Sequence, residues 1–147
     1  MKGILNTDLA YIAGLFDGEG SFVIGKHFCK TKHNGKRGWV WEFRMVIGMS
    51  DKDGLNFIKN KFNKKRIRVS HYDKNKRKMY YLTFYSGELR KILPSLIFYL
   101  KVKRKQAKLL LNVVNLITPK SNIKNDKIIE KAYRRMKKLN HSRHTLV

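Results

Sequence analysis

With 147 residues and 42% hydrophobic side chains, the chain is long enough to bury a core and too apolar to be disordered by composition. Its 34 Lys and Arg against 10 Asp and Glu leave a formal charge of +24, which a folded domain holds only against its own repulsion. That balance calls for an anionic partner, nucleic acid first and an anionic membrane surface second, while the absence of any apolar run near ~18 residues excludes a membrane-spanning helix.

The first eight residues carry neither the apolar stretch of a signal peptide nor the Arg-rich pattern of a transit peptide, so an intracellular protein is expected. One cysteine, Cys29, excludes an internal disulfide framework and fits a reducing compartment. Residues 7–18 read as a helix that Thr7 and Asp8 can cap. Leu9, Ile12, Ala13, Leu15 and Phe16 spread apolar surface over most of it, and Gly18 and Gly20 end it.

A long β-hairpin is expected over about 21–49. Phe22, Ile24 and Phe28 share a parity, and the 30–38 stretch holds the turn dipeptide Asn34-Gly35. Trp39, Trp41, Phe43, Met45 and Ile47 then alternate with Glu42, Arg44 and Val46, which predicts one apolar face and one wet, basic face. Asp51 or Asp53 can cap a second helix carrying Leu55, Ile58 and Phe62. A second hairpin, about 65–85, alternates Ile67 and Val69 with Arg66, Arg68 and Ser70, turns at Asp73-Lys74-Asn75-Lys76 and returns through 79–85. Helices follow at roughly 87–99, 103–117 and 125–139, within about 87–140, with Pro94 and Pro119 at breaks. The order is α-ββ-α-ββ-α-α-α, an α+β class. No Ser/Gly/Pro-rich linker interrupts it, so a single domain over 1–147 is expected.

In so basic a chain, the two carboxylates of Asp17-Gly18-Glu19-Gly20 stand out. Against phosphate they repel unless a metal lies between, and Mg²⁺ accepts one or two carboxylates with waters and phosphate oxygens. An acid at a helix C-terminus also meets the negative end of the macrodipole and wants a cation. On spacing alone, a Gly-terminated helix with two solvated acids accounts for the segment as well.

The residues before it decide between these. The segment from Leu9 through Ala13-Gly14-Leu15-Phe16-Asp17-Gly18-Glu19-Gly20 to Phe22 resembles the motif that names the LAGLIDADG homing endonucleases. Ala13-Gly14-Leu15 matches letter for letter, and Glu19 stands where Asp is more usual. The resemblance extends over nearly the whole chain and implies the αββαββα fold, with additional C-terminal helices and an antiparallel β-saddle for DNA. Leu93-Pro94-Ser95-Leu96 followed by Leu100-Lys101-Val102-Lys103-Arg104 is similar to the family's loop after the last strand. By that match Lys103 is the active-site lysine, with Lys101 nearby.

The resemblance further implies a site-specific double-stranded DNA endonuclease that hydrolyses one phosphodiester per strand of a long near-palindromic target. Glu19, with the backbone oxygen of Gly18, would hold Mg²⁺, for which Ca²⁺ or Mn²⁺ substitutes. Asp17 is assigned to packing or capping at the dimer interface, and Ser50 stands for the family's polar residue at the end of the second strand. Only one motif is present, so a homodimer is expected, joined through Ala10, Ala13, Gly14 and Asp17. Independently of the family, Ala10, Gly14 and Gly18 recur every four residues, which allows close helix approach. The DNA-facing residues would be Arg44, Arg66, Arg68, Ser70, Lys76 and Lys78, with His27, Lys30, Lys32 and Arg37 toward the first turn, and among them Arg44 and Arg68 are expected to read major-groove base edges. For most of the lysines, a phosphate contact or a solvated face is the expected role.

Other readings remain open at this level. An intron maturase on the same fold would take its own intron RNA as partner, and a ribosomal-type RNA-binding protein would satisfy the charge. His27, Cys29 and His33 supply three ligand-type residues in seven, but the rest of a structural zinc shell is missing. An organelle-encoded protein would sit in a chloroplast or mitochondrion, a microbial one in the cytoplasm.

Overall fold

The computed structural model describes residues 3–33, 36–72, 77–117 and 126–141, with side chains described outside 31–37 and 71–77. The elements follow the expected order: α1 (Asn6–Glu19), β1 (Gly20–His33), β2 (Lys36–Met49), α2 (Asp53–Lys61), β3 (Arg68–Tyr72), β4 (Arg77–Tyr85), α3 (Ser86–Leu96), α4 (Arg104–Leu116) and α5 (Asp126–His141). Two antiparallel hairpins share one four-stranded sheet in the order β1-β2-β4-β3. The register runs from Gly20↔Ile47 to Cys29↔Gly38 in the first hairpin, Arg44↔Tyr85 to Met49↔Tyr80 between hairpins, and Arg68↔Tyr81 onward in the second. The Asn34-Gly35 and 73–76 turns, and Pro119, lie outside the described residues.

Strand alternation sorts the sheet into two faces. Phe22, Ile24, Phe43, Met45, Ile47, Leu82 and Phe84 are buried on one, beneath Ile12, Ala13 and Phe16 of α1, Leu89 and Leu93 of α3, and Leu110 of α4. Each fully buried side chain of this size contributes about 1.5–3 kcal/mol. Phe16 sits at the centre, its ring 6.1 Å from that of Phe22 and 6.3 Å from that of Phe84. The other face is open: Ser21, Val23, Glu42, Arg44, Val46, Tyr81, Thr83, Tyr85, Arg68 and Ser70 share it, and none is buried.

Several local expectations are corrected. Thr7 and Asp8 do not cap α1, whose N-cap is Leu5 without a side-chain bond; Asp8 instead pairs with Lys61 at 2.6 Å. The helix continues through Gly18 and Glu19 and stops at Gly20. There a Cβ would lie 2.3 Å from the Phe16 ring, so the junction into β1 needs glycine for close approach. Asp51 serves the start of α2, its Oδ1 accepting the Asp53 N–H at 3.0 Å. Arg66 and Ile67 precede β3 and do not lie in it. Pro94 lies inside α3, where its exposed position in the last turn forfeits only one helical bond. Phe28 and Trp39 keep the inward parity but extend past the helices that cover it, and both are exposed.

Candidate active site and nucleic-acid interface

The C-terminus of α1 and the turn before α4 are bound to each other in both directions. The two carboxylate oxygens of Asp17 accept the backbone N–H groups of Lys101 at 2.7 Å and Lys103 at 2.8 Å. In return, the Lys103 ammonium donates to the carbonyls of Phe16 at 3.1 Å, Gly18 at 3.4 Å and Gly20 at 2.5 Å. The Phe16 carbonyl also accepts the Gly20 N–H, so the ammonium shares that helical acceptor and adds the Gly18 and Gly20 carbonyls beyond it, where a cation meets the negative pole of the macrodipole. Burial opposes ionisation of Asp17, but the N–H bonds from Lys101, Lys103 and Val102 and the charge of Lys103 outweigh it and hold its carboxyl below the ordinary value. The Asp17 carboxylate is therefore engaged within its own chain, as the anchor of the lysine turn.

Glu19, one helical step on, is exposed, and no described group hydrogen-bonds or pairs with it. An oxygen-only donor set, the Glu19 carboxylate and the adjacent Gly18 carbonyl, fits a hard divalent cation that retains waters. Among the described residues no three His, Cys, Asp or Glu side chains gather into a metal cluster. His27 Nε2 and Cys29 Sγ do meet at 3.6 Å on the open face, and the side chain of His33 lies outside the described set, so two of the three zinc candidates are brought together among the described side chains. Lys103 already donates to the Gly18 carbonyl, so a cation held there would have the ammonium beside it.

The exposed face of α1 carries Ala10, Gly14 and Gly18. A Cβ added at Gly14 or Gly18 would meet nothing within 4 Å, so nothing in this chain's own packing requires glycine at either position. Ala13, expected on the same face, is fully buried in the core and is withdrawn from it.

Ser50 is exposed in the bend after β2, and no described hydrogen bond joins it to Glu19 or Lys103. Because Gly20 pairs with Ile47, the open-face position next to the helix–strand junction is Gly48. The Tyr81 ring lies over it, so that a Cβ on Gly48 would come within 2.6 Å. Tyr81, Thr83 and Tyr85 of the open face escaped the sequence reading. The odd-numbered parity of the return strand, opposite Leu82 and Phe84, is the signal that marks them.

Arg44, Arg68, Ser70 and His27 share the open face, with Arg44 tied to Glu42 at 3.6 Å. Lys64, Arg66 and Arg68 converge with Tyr81, Thr83 and Tyr85 around a shallow cavity of ≈ 170 Å³. Lys78 is corrected: it shares the parity of Tyr80 and Leu82 and so points to the helix side. Lys30 is exposed just past the last regular pair of the first hairpin, and Lys101 is exposed beside Asp17. Lys32 and Arg37 have backbone positions in β1 and β2 but side chains outside the described set, as does all of Lys76.

A sequence profile of the LAGLIDADG endonuclease family matches residues 12–110. No curated protein matches the chain significantly in sequence. Among solved structures, the chain is similar to the archaeal intron-encoded homing endonuclease I-Vdi141I in complex with DNA, at TM-score 0.72 and 22% identity over 91% of this chain and 84% of that one. It is similar to the homing endonuclease I-CvuI on its target in the presence of Ca²⁺, at TM-score 0.69 and 19% identity over 91% and 82%, and a further I-CvuI complex holds uncleaved DNA in the presence of Mg²⁺. It also resembles I-LtrWI bound to target DNA, at TM-score 0.62 and 23% identity, covering 94% of this chain but 45% of that one.

Proposed function

The chain belongs to the LAGLIDADG endonuclease family, and from that membership we propose that it is a homing endonuclease cutting both strands of a long, near-palindromic DNA duplex as a metal-dependent homodimer. The observation that carries the reading is the exposed, unpaired Glu19 beside the Gly18 carbonyl and the Lys103 ammonium, at the edge of an open basic sheet face. Binding of DNA by I-Vdi141I and I-CvuI supports duplex DNA as the partner, and the presence of Mg²⁺ or Ca²⁺ with the I-CvuI complexes supports a divalent cation.

Glu19 and the Gly18 carbonyl would hold the cation, which when bound would supply Lewis-acid polarisation of the scissile phosphate and activation of water. Lys103 places a fixed positive charge beside that phosphate, held by α1 carbonyls and so needing little reorganisation as charge develops. Arg44 and Arg68 face the major groove and read guanine edges, since the guanidinium fork matches O6 and N7. Arg66, Lys30 and Lys101 neutralise phosphates, and with ~6–10 such contacts affinity falls ~10³–10⁵ between 50 and 200 mM salt.

A single chain presents one free acid at this junction. The chain spans about half of I-LtrWI, and the unfilled stripe of Ala10, Gly14 and Gly18 offers α1 a self-complementary seam. A two-fold pairing along it would bring two Glu19 side chains to one axis. Cleavage of a randomised near-palindromic duplex library by the wild type and by Glu19→Gln, in Mg²⁺ and in Ca²⁺, tests the assignment. Mg²⁺-dependent double-strand cuts at one class of site, lost in the variant, are expected. Tight, salt-sensitive binding without any cutting would defeat the endonuclease reading in favour of an RNA-directed role.

A further inference from the structure

The helix side of the first hairpin leaves an aromatic platform that the endonuclease site does not use. Trp39 is 65% exposed and Phe28 54%, and their rings meet edge to face at 5.6 Å. Beside them, Trp39, Trp41 and Lys26 form one wall of a groove of ≈ 550 Å³, and α5 forms the other with Lys127, Lys131 and Arg134. An exposed indole, Trp39, beside the half-buried Trp41 and bordered by cations, on the sheet face opposite Arg44 and Arg68, makes a second surface of nucleic-acid character.

We propose that this groove binds single-stranded RNA, one unstacked base lying on Trp39 while Lys127 and Lys131 take the flanking phosphates. A duplex keeps its bases stacked within it, whereas RNA loops splay single bases that aromatic rings and cations capture. Two carboxylates also line the groove. Glu130 is spent on Lys26 at 3.7 Å and on Arg134 at 3.3 Å. Asp126 pairs with no described group. A free carboxylate would repel a bare phosphate chain but accepts a hydrogen bond from a ribose 2′-hydroxyl, which favours RNA over single-stranded DNA. The proposal does not rest on DNA cleavage, since none of its residues lies at the α1 junction or on the open sheet face.

Both tryptophans of the chain line this groove, so intrinsic fluorescence reports on it. The full chain would be titrated with a 12-nucleotide unstructured RNA, with and without saturating duplex DNA. Quenching by RNA is expected to persist when duplex is present. Trp39→Ala should weaken RNA about 5- to 150-fold, the loss of one base–aromatic stack, and leave duplex affinity unchanged. Lys131→Glu, an exposed helix substitution that leaves both indoles in place, should weaken RNA as well. Unchanged RNA affinity in both folded variants, or displacement of RNA by duplex, would overturn the site. Equal affinity for the matching single-stranded DNA would overturn its assignment to RNA, and equal quenching by polyglutamate would overturn base recognition.

Discussion

Asp17 and Lys103 hold each other's backbone: the carboxylate of one accepts the amide of the other at 2.8 Å, and the ammonium of the second donates to the carbonyl preceding the first at 3.1 Å. The motif helix and the lysine turn, more than eighty residues apart, are thereby fixed as one unit. Asp17→Asn leaves one acceptor oxygen where two served and turns an amide donor toward backbone donors. The expected cost is about 1–3 kcal/mol of stability, read as a lowered denaturation midpoint, with slowed single-turnover cleavage because Lys103 loses its seat. A variant with wild-type stability and cleavage would remove Asp17 from this role.

The same pair makes a pH prediction whose sign is set by the Asp17 shift. Its carboxyl is held below the ordinary value in the folded chain, despite burial, by the amides of Lys101, Lys103 and Val102. Its contribution is therefore fully present above the unfolded carboxylate value near ~3.9 and is lost as pH falls through the lower folded value. The stability gap between wild type and Asp17→Asn should be constant from neutral pH to about 5 and close below about 4. Urea midpoints of the two proteins across that range measure it; a gap that widens on acidification contradicts the direction.

How much of this was legible in the sequence depended on whether the signal was local. Alternation along 39–47 placed Phe43, Met45 and Ile47 inward and Arg44 outward without any knowledge of pairing. The acid motif marked Glu19 because carboxylates are scarce in a +24 chain. Lys78 and Tyr81 were misassigned or missed because their facing depends on where β3 ends and the return strand begins, and a one-residue slip exchanges the faces. Ala13 was assigned to the dimer interface with Ala10 and Gly14, but helical geometry rotates it onto the Phe16 side, into the core. The bonds from the 101–103 turn to Asp17 link positions over eighty residues apart, which no periodicity encodes.

Glu19→Gln separates chemistry from packing. Glu19 has no described partner to lose, so the chain itself should fold as before. Replacing the anion removes the charge that holds the cation, and cleavage should fall by more than about 10²-fold, the consequence of losing several kcal/mol of transition-state stabilisation. If two Glu19 side chains face each other across a dimer axis, the metal-free variant should melt at the same temperature as wild type or higher. A clear drop in the melting temperature of the variant in EDTA would argue against that placement.

For specificity, Arg68→Ala and Lys101→Ala should differ in kind. Arg68 lies on the open face opposite Tyr81, where its fork can read a base, so its loss should cost about 1–3 kcal/mol on the preferred target and relax preference at one position. Lys101 is exposed beside Asp17, and as a phosphate contact its loss should weaken all duplexes alike and reduce the salt slope by about 1. Binding titrations on matched and scrambled duplexes at several salt concentrations distinguish the two. Equal losses on both duplexes for Arg68→Ala would make it another phosphate contact.

Gly14→Ala gives opposite signs for a chain alone and for a pair. Within one chain the added methyl meets nothing within 4 Å, so replacing a mid-helix glycine should stabilise the folded monomer by about 1 kcal/mol. Where two α1 helices approach through the Ala10, Gly14 and Gly18 stripe, the same methyl stands between their backbones and weakens association. Sedimentation and denaturation of wild type and variant over a range of concentrations resolve the two effects. The expected result is a variant more stable at high dilution, less dimeric at every concentration and less active on duplex DNA. A variant that is both more stable and equally dimeric would show that the seam lies elsewhere, because only an unoccupied helix face tolerates the methyl without loss.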